Sequence, residues 1–391
     1  MIKGENIIVF SSGDWEMGPS LPQHVSIRLA KENKVLFVET LGSRRPTFER
    51  DHIKRVKERL MNWNKGIKKL DTGQAAIYIY SPITLMLNTR LFLPINRFIF
   101  LHLIKRLIKK MAMNNPILLF FLPPPEGVLK KLQKKAVIYY SMDEWSTFPV
   151  GNNKIFMDAE RALIKSADLV LAVNENLYQK HKLYAHRIHK LYHGVDYGHF
   201  TRGFPNDTPL PVDMRNIHRP IIAIIGAFAN WMDLNLIKLI AQKHPEWSIV
   251  CIGNVESDVD VNILKPLPNV YFLGQKPYSQ LPDYYRIIDA FIMPFIVVEH
   301  IRMCAPTRLY EHLSSGKPVI TTDFPAAREI GEGLIDIADD RYDFVRKIEE
   351  ALQHKDPALV ERRKVLAKKN TWDARVEEMS SLIKEILHEK D

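Results

Sequence analysis

The sequence predicts an α/β protein of two domains, each built around a parallel sheet. Three observations carry that prediction. Short apolar, β-rich runs alternate with helical stretches along the chain, the pattern of βαβ units. The alternation is interrupted once, by a polar stretch holding Pro205, Pro209, Pro211 and Pro220, a plausible linker. The 391 residues are enough for two domains of ordinary size, each with its own core.

In the first half, strands are expected near Ile7–Phe10, Lys34–Val38, Ala75–Tyr80, Ile117–Phe121, Val137–Tyr140 and Leu169–Val173. Helices are expected between them near Pro22–Lys31, Ile95–Met113 and Lys154–Lys165. After the proline-rich stretch a second series follows, with strands at Ile221–Ile225, Ser248–Ile252, Val270–Leu273, Ala290–Met293 and Val319–Thr321. The tail from Thr371 to His388 is one more amphipathic helix. The expected domains are residues 1–203 with 372–391, and residues 204–371. No repeat or low-complexity segment is present. Open α/β sheets bind ligands outside the carboxyl ends of their strands, so the site is expected in a cleft between two facing domains.

Composition narrows the function. Cys251 and Cys304 are the two cysteines, and Cys251 lies in an apolar run, so neither a disulfide framework nor a thiolate metal site is indicated. The start, Met-Ile-Lys-Gly-Glu-Asn, has no signal-peptide pattern, and no run approaches the ~20 apolar residues that span a bilayer. A cytoplasmic protein is expected. The formal charge of +10 is unevenly placed. Residues 44–69 hold Arg44, Arg45, Arg50, Lys54, Arg55, Lys57, Arg59, Lys65, Lys68 and Lys69 against Glu49, Asp51 and Glu58. Residues 97–110 combine helical apolar spacing with Arg97, Lys105, Arg106, Lys109 and Lys110 and contain no acid. The two segments suit peripheral contact with an anionic membrane, at its inner face, or else an ordinary helix with its lysines in water. Nucleic acid is not an expected partner, because no binding motif occurs and aromatics are not interleaved with the charge.

The most informative stretch runs from Ala305 to Asp323, Ala-Pro-Thr-Arg-Leu-Tyr-Glu-His-Leu-Ser-Ser-Gly-Lys-Pro-Val-Ile-Thr-Thr-Asp. It reads as a loop, a short helix, a Gly-Lys-Pro turn and a buried strand. Pro306 and Thr307 suit a helix start, Thr307 as a cap for free amides. Leu309, Tyr310 and Leu313 give the helix an apolar face, and Gly316 ends it. Its first turn and the cation Arg308 favour an anion. Glu311 follows one turn on, roughly 4–6 Å along the axis, a carboxylate able to grip paired hydroxyls. A phosphate beside a ribose diol is what a nucleotide-sugar presents.

This stretch resembles the Pro-x-Lys-x-x-Glu-(Tyr/His)-Leu-x-x-Gly-Lys-Pro-Val signature of bacterial GT-B glycosyltransferases, with Arg308 at the Lys position and Glu311 at the ribose-binding Glu. Asn269–Tyr285 with Ile287–Phe295, and Ile221–Asp233, resemble the blocks that precede it. Tyr139–Trp145, Ser166–Ala172 and His193–Phe200 resemble the first domain's later blocks. The resemblance implies the GT-B fold, two Rossmann-like domains facing across a cleft with the C-terminal helix crossing back to the first. It also implies a hexosyltransferase that takes a nucleotide-sugar, a UDP-sugar, to a glycan or lipid-linked acceptor in cell-surface polysaccharide assembly. Retention of anomeric configuration is implied too. The rivals are a 2-epimerase of the same fold and a non-catalytic scaffold.

Donor binding is assigned to Gly226, Gly274, Gln275, Lys276, Pro306, Thr307, Arg308, Leu309 and Glu311, with the backbone at 274–276 meeting the base. Arg308 is the catalytic cation, because leaving nucleoside diphosphate builds negative charge that a fixed guanidinium stabilises. The chain departs from the family at Met303, where many retaining members carry a further Glu eight residues before the ribose Glu. It departs again over Gly226–Asp233, which lacks the cations that often grip the diphosphate. On the acceptor side, Gly13, Asp14 and Trp15 follow the first strand and Glu144 follows a later one. An inverting reaction would need a general base, with Asp143 or His24 as candidates. Asp258-Val-Asp260 mimics a metal motif of another fold but sits in a polar loop, so no metal or cofactor is expected.

Overall fold

The computed structural model describes residues 1–40, 66–73, 75–82, 93–148, 153–203, 205, 208–331, 333–354 and 356–390. Of the basic segment 44–69, residues 44–65 lie outside the described residues. The chain forms two compact units, Met1–Tyr192 with Arg375–Asp391, and His193–Ala374. The division thus falls before His193 rather than after residue 203. Residues 193–200 pack within the second unit. Val195 donates its amide to Asn370 O at 3.0 Å, Trp372 donates to Val195 O at 3.2 Å, and Phe200 meets Tyr285 at 4.8 Å. A Cβ on Gly194 would lie 2.7 Å from the Trp372 nitrogen, so only glycine admits this backbone approach.

The first unit's strands are β1 (Asn6–Phe10), β2 (Lys34–Val38), β3 (Lys68–Asp71), β4 (Ala76–Tyr80), β5 (Ile117–Phe120), β6 (Ala136–Ser141), β7 (Leu169–Ala172) and β8 (Ile188–Lys190). They form one sheet in the order β3-β4-β2-β1-β5-β6-β7-β8, with only the β3–β4 pair antiparallel. Helices α1 (Leu21–Leu29), α2 (Leu93–Lys110), α3 (Lys154–Ser166) and α4 (Glu175–Lys182) connect them. Phe100, Ile104 and Leu107 of α2 join a core that includes Ile8, Leu36, Leu118 and Val137. The opposite face of α2 exposes Ile95 (51%), Phe98 (71%), Lys105, Arg106, Lys109 and Lys110.

The second unit's sheet is wholly parallel, β11 (Val270–Phe272), β10 (Ser248–Ile252), β9 (Ile221–Ile225), β12 (Ala290–Met293), β13 (Val319–Thr322) and β14 (Asp336–Ala338), in that spatial order. Its inner strands β9, β10 and β12 are largely apolar runs because helices cover parallel sheets. The helices are α5 (Tyr197–Phe200), α6 (Leu234–Lys243), α7 (Leu281–Tyr285), α8 (Glu299–Met303), α9 (Arg308–Ser314), α10 (Pro325–Gly331), α11 (Arg341–Gln353) and α12 (Pro357–Lys369). Helix α13 (Trp372–Lys390) starts in this unit, and from Arg375 onward belongs to the first. There Glu389 pairs with Arg187 and Glu378 with His189, both at 2.8 Å.

Strands β3, β8 and β14 were not expected. Each is three or four residues long, carries charge, and lies at a sheet edge, where one neighbour and water share the backbone. In the second sheet, chain order reverses at β9, which lies between β10 and β12. That switch point is where an open α/β sheet leaves a crevice beyond its carboxyl ends.

Candidate active site

Three strands of the second sheet run out into glycine. Gly226 follows β9, Gly253 follows β10, and Gly274 follows β11 after Leu273. Gly226 donates its amide to Ile252 O at 2.9 Å, and Gly253 donates to Gly274 O at 3.1 Å. A Cβ added to Gly253 would lie 1.7 Å from Gly226 O, so the two backbones touch with no room for a side chain. At Gly226 the atom that a Cβ would meet is Arg308 Nε, at 3.7 Å. The guanidinium arm therefore lies against a bare stretch of backbone. Gly253 was missed from sequence, because Ile-Gly-Asn there reads as an ordinary loop. The signal available was the recurrence of glycine after three neighbouring strands.

Helix α9 carries the charged pair. Its Leu309, Tyr310 and Leu313 are buried, and Gly316 closes it in the left-handed region at φ 75°. Thr307 does not cap it as expected. Its backbone is already helical and its hydroxyl makes no cap bond, while Pro306 O accepts the Leu309 amide at 3.1 Å. Arg308 Nη1 meets Glu311 Oε2 at 3.1 Å, with the Arg side chain 33% exposed and the Glu 10%. Burial pushes the Glu311 carboxyl up from its ordinary range, opposed by the Arg308 charge. Tyr278 and Tyr285 approach the same pair. Burial raises the Tyr278 phenol, and Glu311 and Asp196 add to the shift. His199 stacks on Tyr278 at 4.4 Å. These aromatics had no role in the sequence reading, since α5, α7 and α9 meet only in the folded unit. The cluster offers one partly open cation, one carboxylate and bare backbone, a set able to neutralise a phosphate and accept two hydroxyl hydrogens.

Other donor-side candidates are placed differently. Gln275 is exposed, and Lys276 Nζ pairs with Asp213 at 2.7 Å over the Tyr284 ring, so its charge is committed there. Leu309 is fully buried core and reaches a ligand with no side-chain atom. Asp233 accepts the Leu236 amide at 2.9 Å and pairs with Arg341 at 3.0 Å, a cap on α6. Met303 ends α8, where Trp231 lies 4.6 Å from the His300 ring. Asp260 accepts the Asn262 amide, and among the described residues no cluster of three His, Cys, Asp or Glu could hold a metal.

In the first unit, the loops after β1 and β6 meet, Ser12 Oγ lying 3.3 Å from Met142 Sδ. Gly13 donates to Ser11 Oγ at 3.1 Å, and Trp15 donates to Glu39 Oε1 at 2.7 Å with its ring edge-on to Phe37 at 4.9 Å. The carbonyls of Asp14 and Trp15 accept from Gln23 Nε2. His24 is buried, with Arg28 Nη1 3.5 Å from its Nδ1. Asp143 follows β6, and burial pushes its carboxyl up to about 7. Glu144 does not present a free carboxylate. Both its oxygens accept from Lys180 Nζ at 2.6 Å, and Oε1 also accepts from Ser146. Burial raises this carboxyl, but Lys180 and Ser146 outweigh it and hold it below the usual range.

Residues 219–354 match the family model described as "Glycosyl transferases group 1". Over 255 residues the chain is 27% identical to "Putative teichuronic acid biosynthesis glycosyltransferase TuaH" of Bacillus subtilis (strain 168), covering 61% of this chain and 64% of that relative. Among solved structures, sucrose-phosphate synthase from Thermosynechococcus elongatus superposes with a TM-score of 0.68 at 15% identity, over 98% of this chain and 99% of that one. The alpha,alpha-trehalose 6-phosphate synthase of Burkholderia multivorans gives 0.69 at 11% identity over 100% of both. An E. coli trehalose-6-phosphate protein bound with UDP-2-fluoro glucose gives 0.66 at 13% identity, over 98% of this chain and 99% of that one. Two parallel-sheet units, the Arg308–Glu311 pair at the second sheet's switch point and these likenesses agree: the chain has the GT-B fold, and its residues 219–354 are similar to group 1 glycosyl transferases.

Proposed function

We propose that this chain transfers a sugar from a nucleotide-sugar to a hydroxyl of a glycan or lipid-linked acceptor. The observation that carries the proposal is the Arg308–Glu311 pair set against Gly226. In this reading Arg308 and the glycine backbone hold the diphosphate and Glu311 takes the ribose hydroxyls. As the anomeric C–O bond breaks, the electron pair passes to phosphate oxygen, where the guanidinium stabilises it. The acceptor oxygen bonds to the anomeric carbon and loses its proton. In the retaining course the leaving phosphate takes that proton; in an inverting course Asp143 takes it. The charge is supplied by Arg308, so the reaction is metal-independent. A UDP-sugar is supported by the E. coli structural neighbour, which holds UDP-2-fluoro glucose. The B. subtilis relative's name supports cell-surface polysaccharide assembly. The outward face of α2, with Phe98 and four basic residues, supports work at the inner face of an anionic membrane.

Thermal shift with UDP, GDP, ADP, CMP and dTDP, with and without magnesium, tests the donor site. A ligand bound only by the folded state stabilises by about 2.7 kcal/mol at 100-fold over its dissociation constant. A selective shift, unchanged by magnesium and lost in Glu311→Ala, is expected. A folded protein that no nucleotide shifts favours a non-catalytic scaffold, the reading that Met303 and the cation-free stretch 226–233 would also suit.

A further inference from the structure

We propose that the first unit lies on an anionic bilayer with one whole face of its sheet, held at two ends, by α2 and by Leu183 with Tyr184 beside α3. This rests on the membrane reading above and carries it from one helix to a face of the unit. Side chains alternate along a strand, so the register neighbours Ile8, Leu36, Leu118 and Val137 point to one side of the sheet. The core on that side holds Phe100, Ile104 and Leu107 of α2 together with Leu163 and Ile164 of α3. Both helices therefore cover the same side, and their outward faces look the same way.

Among the described residues of the first unit, every large apolar side chain that is exposed lies on this side. Helix α2 carries Ile95 and Phe98, α3 carries Met157, and Leu183 (76%) and Tyr184 follow α4. The last pair is tied to α3, since Arg161 and Lys165 lie 5.3 and 5.8 Å from the Tyr184 ring centre, and Ala185 packs on the same core. Cations surround these side chains. Lys130 and Lys131 are exposed in the turn between the helices, with the basic residues of α2 on one flank and Arg161 and Lys165 on the other. Over residues 93–110, 126–132 and 154–166 the exposed acids are Asp158 and Glu126, and Glu126 is 3.5 Å from Arg97. A soluble polyanion would engage the cations and leave Phe98 and Leu183 in water. An anionic bilayer takes both, headgroups meeting the cations while the apolar tips enter the acyl boundary. Tyr184 suits that boundary, being an apolar ring with a polar end. With both ends down, the sheet lies parallel to the bilayer. The loops after β1 and β6 then open along the headgroup plane, where a lipid-linked acceptor carries its hydroxyl.

The test is sedimentation of the full chain with phosphatidylglycerol vesicles, comparing the wild type with Leu183→Ser combined with Tyr184→Ser. Partitioning is expected to fall about tenfold, as partial burial of two apolar side chains is lost, while the melting temperature stays put because both are exposed in the free protein. A second measurement places an environment-sensitive dye at Leu183→Cys or at Phe98→Cys in a Cys304→Ser background, where the remaining Cys251 is buried. Both dyes should shift to the blue when vesicles are added. A dye at 98 that shifts while the dye at 183 does not, or unchanged capture of the double variant, overturns the second anchor and leaves α2 as the membrane contact. A wild type that stays in the supernatant removes the membrane reading and this footprint with it. If that protein sediments as a dimer that Leu183→Ser with Tyr184→Ser dissociates, the face belongs to a second copy of the chain.

Discussion

Gly253→Ala adds one methyl at the place where two strand ends of the second sheet touch. The new carbon would lie 1.7 Å from Gly226 O and 2.6 Å from its carbonyl carbon, where ordinary contact begins at 3.4 Å. The neighbouring backbone must therefore retreat by about 1.7 Å, the difference between 3.4 and 1.7. The displaced atoms are backbone, which has no rotamer to turn away. Overpacking of this kind costs about 1–3 kcal/mol, and the bonds from Gly226 N to Ile252 O and from Gly253 N to Gly274 O are strained with it. For a unit of this size, each kcal/mol lowers the melting temperature by about 2–4 °C, so a drop of roughly 2–12 °C is expected. Because Gly226 lies under Arg308, the nucleotide-induced thermal shift should shrink as well, by more than the loss of stability explains. Differential scanning fluorimetry with and without UDP reads both effects. A variant that melts with the wild type and keeps its full UDP shift would refute the claim that this backbone contact builds the site.

Arg308→Ala should keep the fold and lose roughly 100- to 1,000-fold in turnover, the usual worth of one transition-state charge donor; near wild-type turnover on a donor that the protein uses would reassign the leaving-group cation. Asp143 binds its proton more tightly folded than unfolded, its carboxyl rising from 3.8 to about 7. The stability this gives is full below pH ~4 and is lost as pH rises through 7. Asp143→Asn should therefore melt progressively above the wild type between pH 4 and 7 and hold that gap beyond; parallel melting curves across this range would show that the carboxyl is not buried. Sedimentation with phosphatidylglycerol vesicles at low salt should capture the protein, and Phe98→Ser with Lys105→Glu should weaken the capture severalfold. Equal capture by neutral vesicles would sink the electrostatic part of that reading.

Much of this protein is legible locally. The continuous apolar runs Ile221–Ile225 and Ser248–Ile252 became β9 and β10 with the expected bounds, because a strand covered on both faces needs no polar alternation. Helix α9, its buried face and its glycine stop could be read from spacing, and so could the adjacency of Arg308 and Glu311, which sit one turn apart on that helix. These features depend on neighbours within a few residues. The rest was settled by residues distant in the chain. Lys180 claims the Glu144 carboxylate across 36 positions. Strands β3, β8 and β14 exist because a sheet edge accepts short charged segments that carry no periodicity of their own. Gly253 matters because β10 ends against Gly226, and Tyr285 meets His312 of α9 across 27 positions of the chain. Sequence patterning encodes which surfaces a segment must bury; which atoms then meet across those surfaces is decided only when the sheets and helices pack, since hydrogen bonds and steric exclusion act over a few ångströms and are blind to distance along the chain.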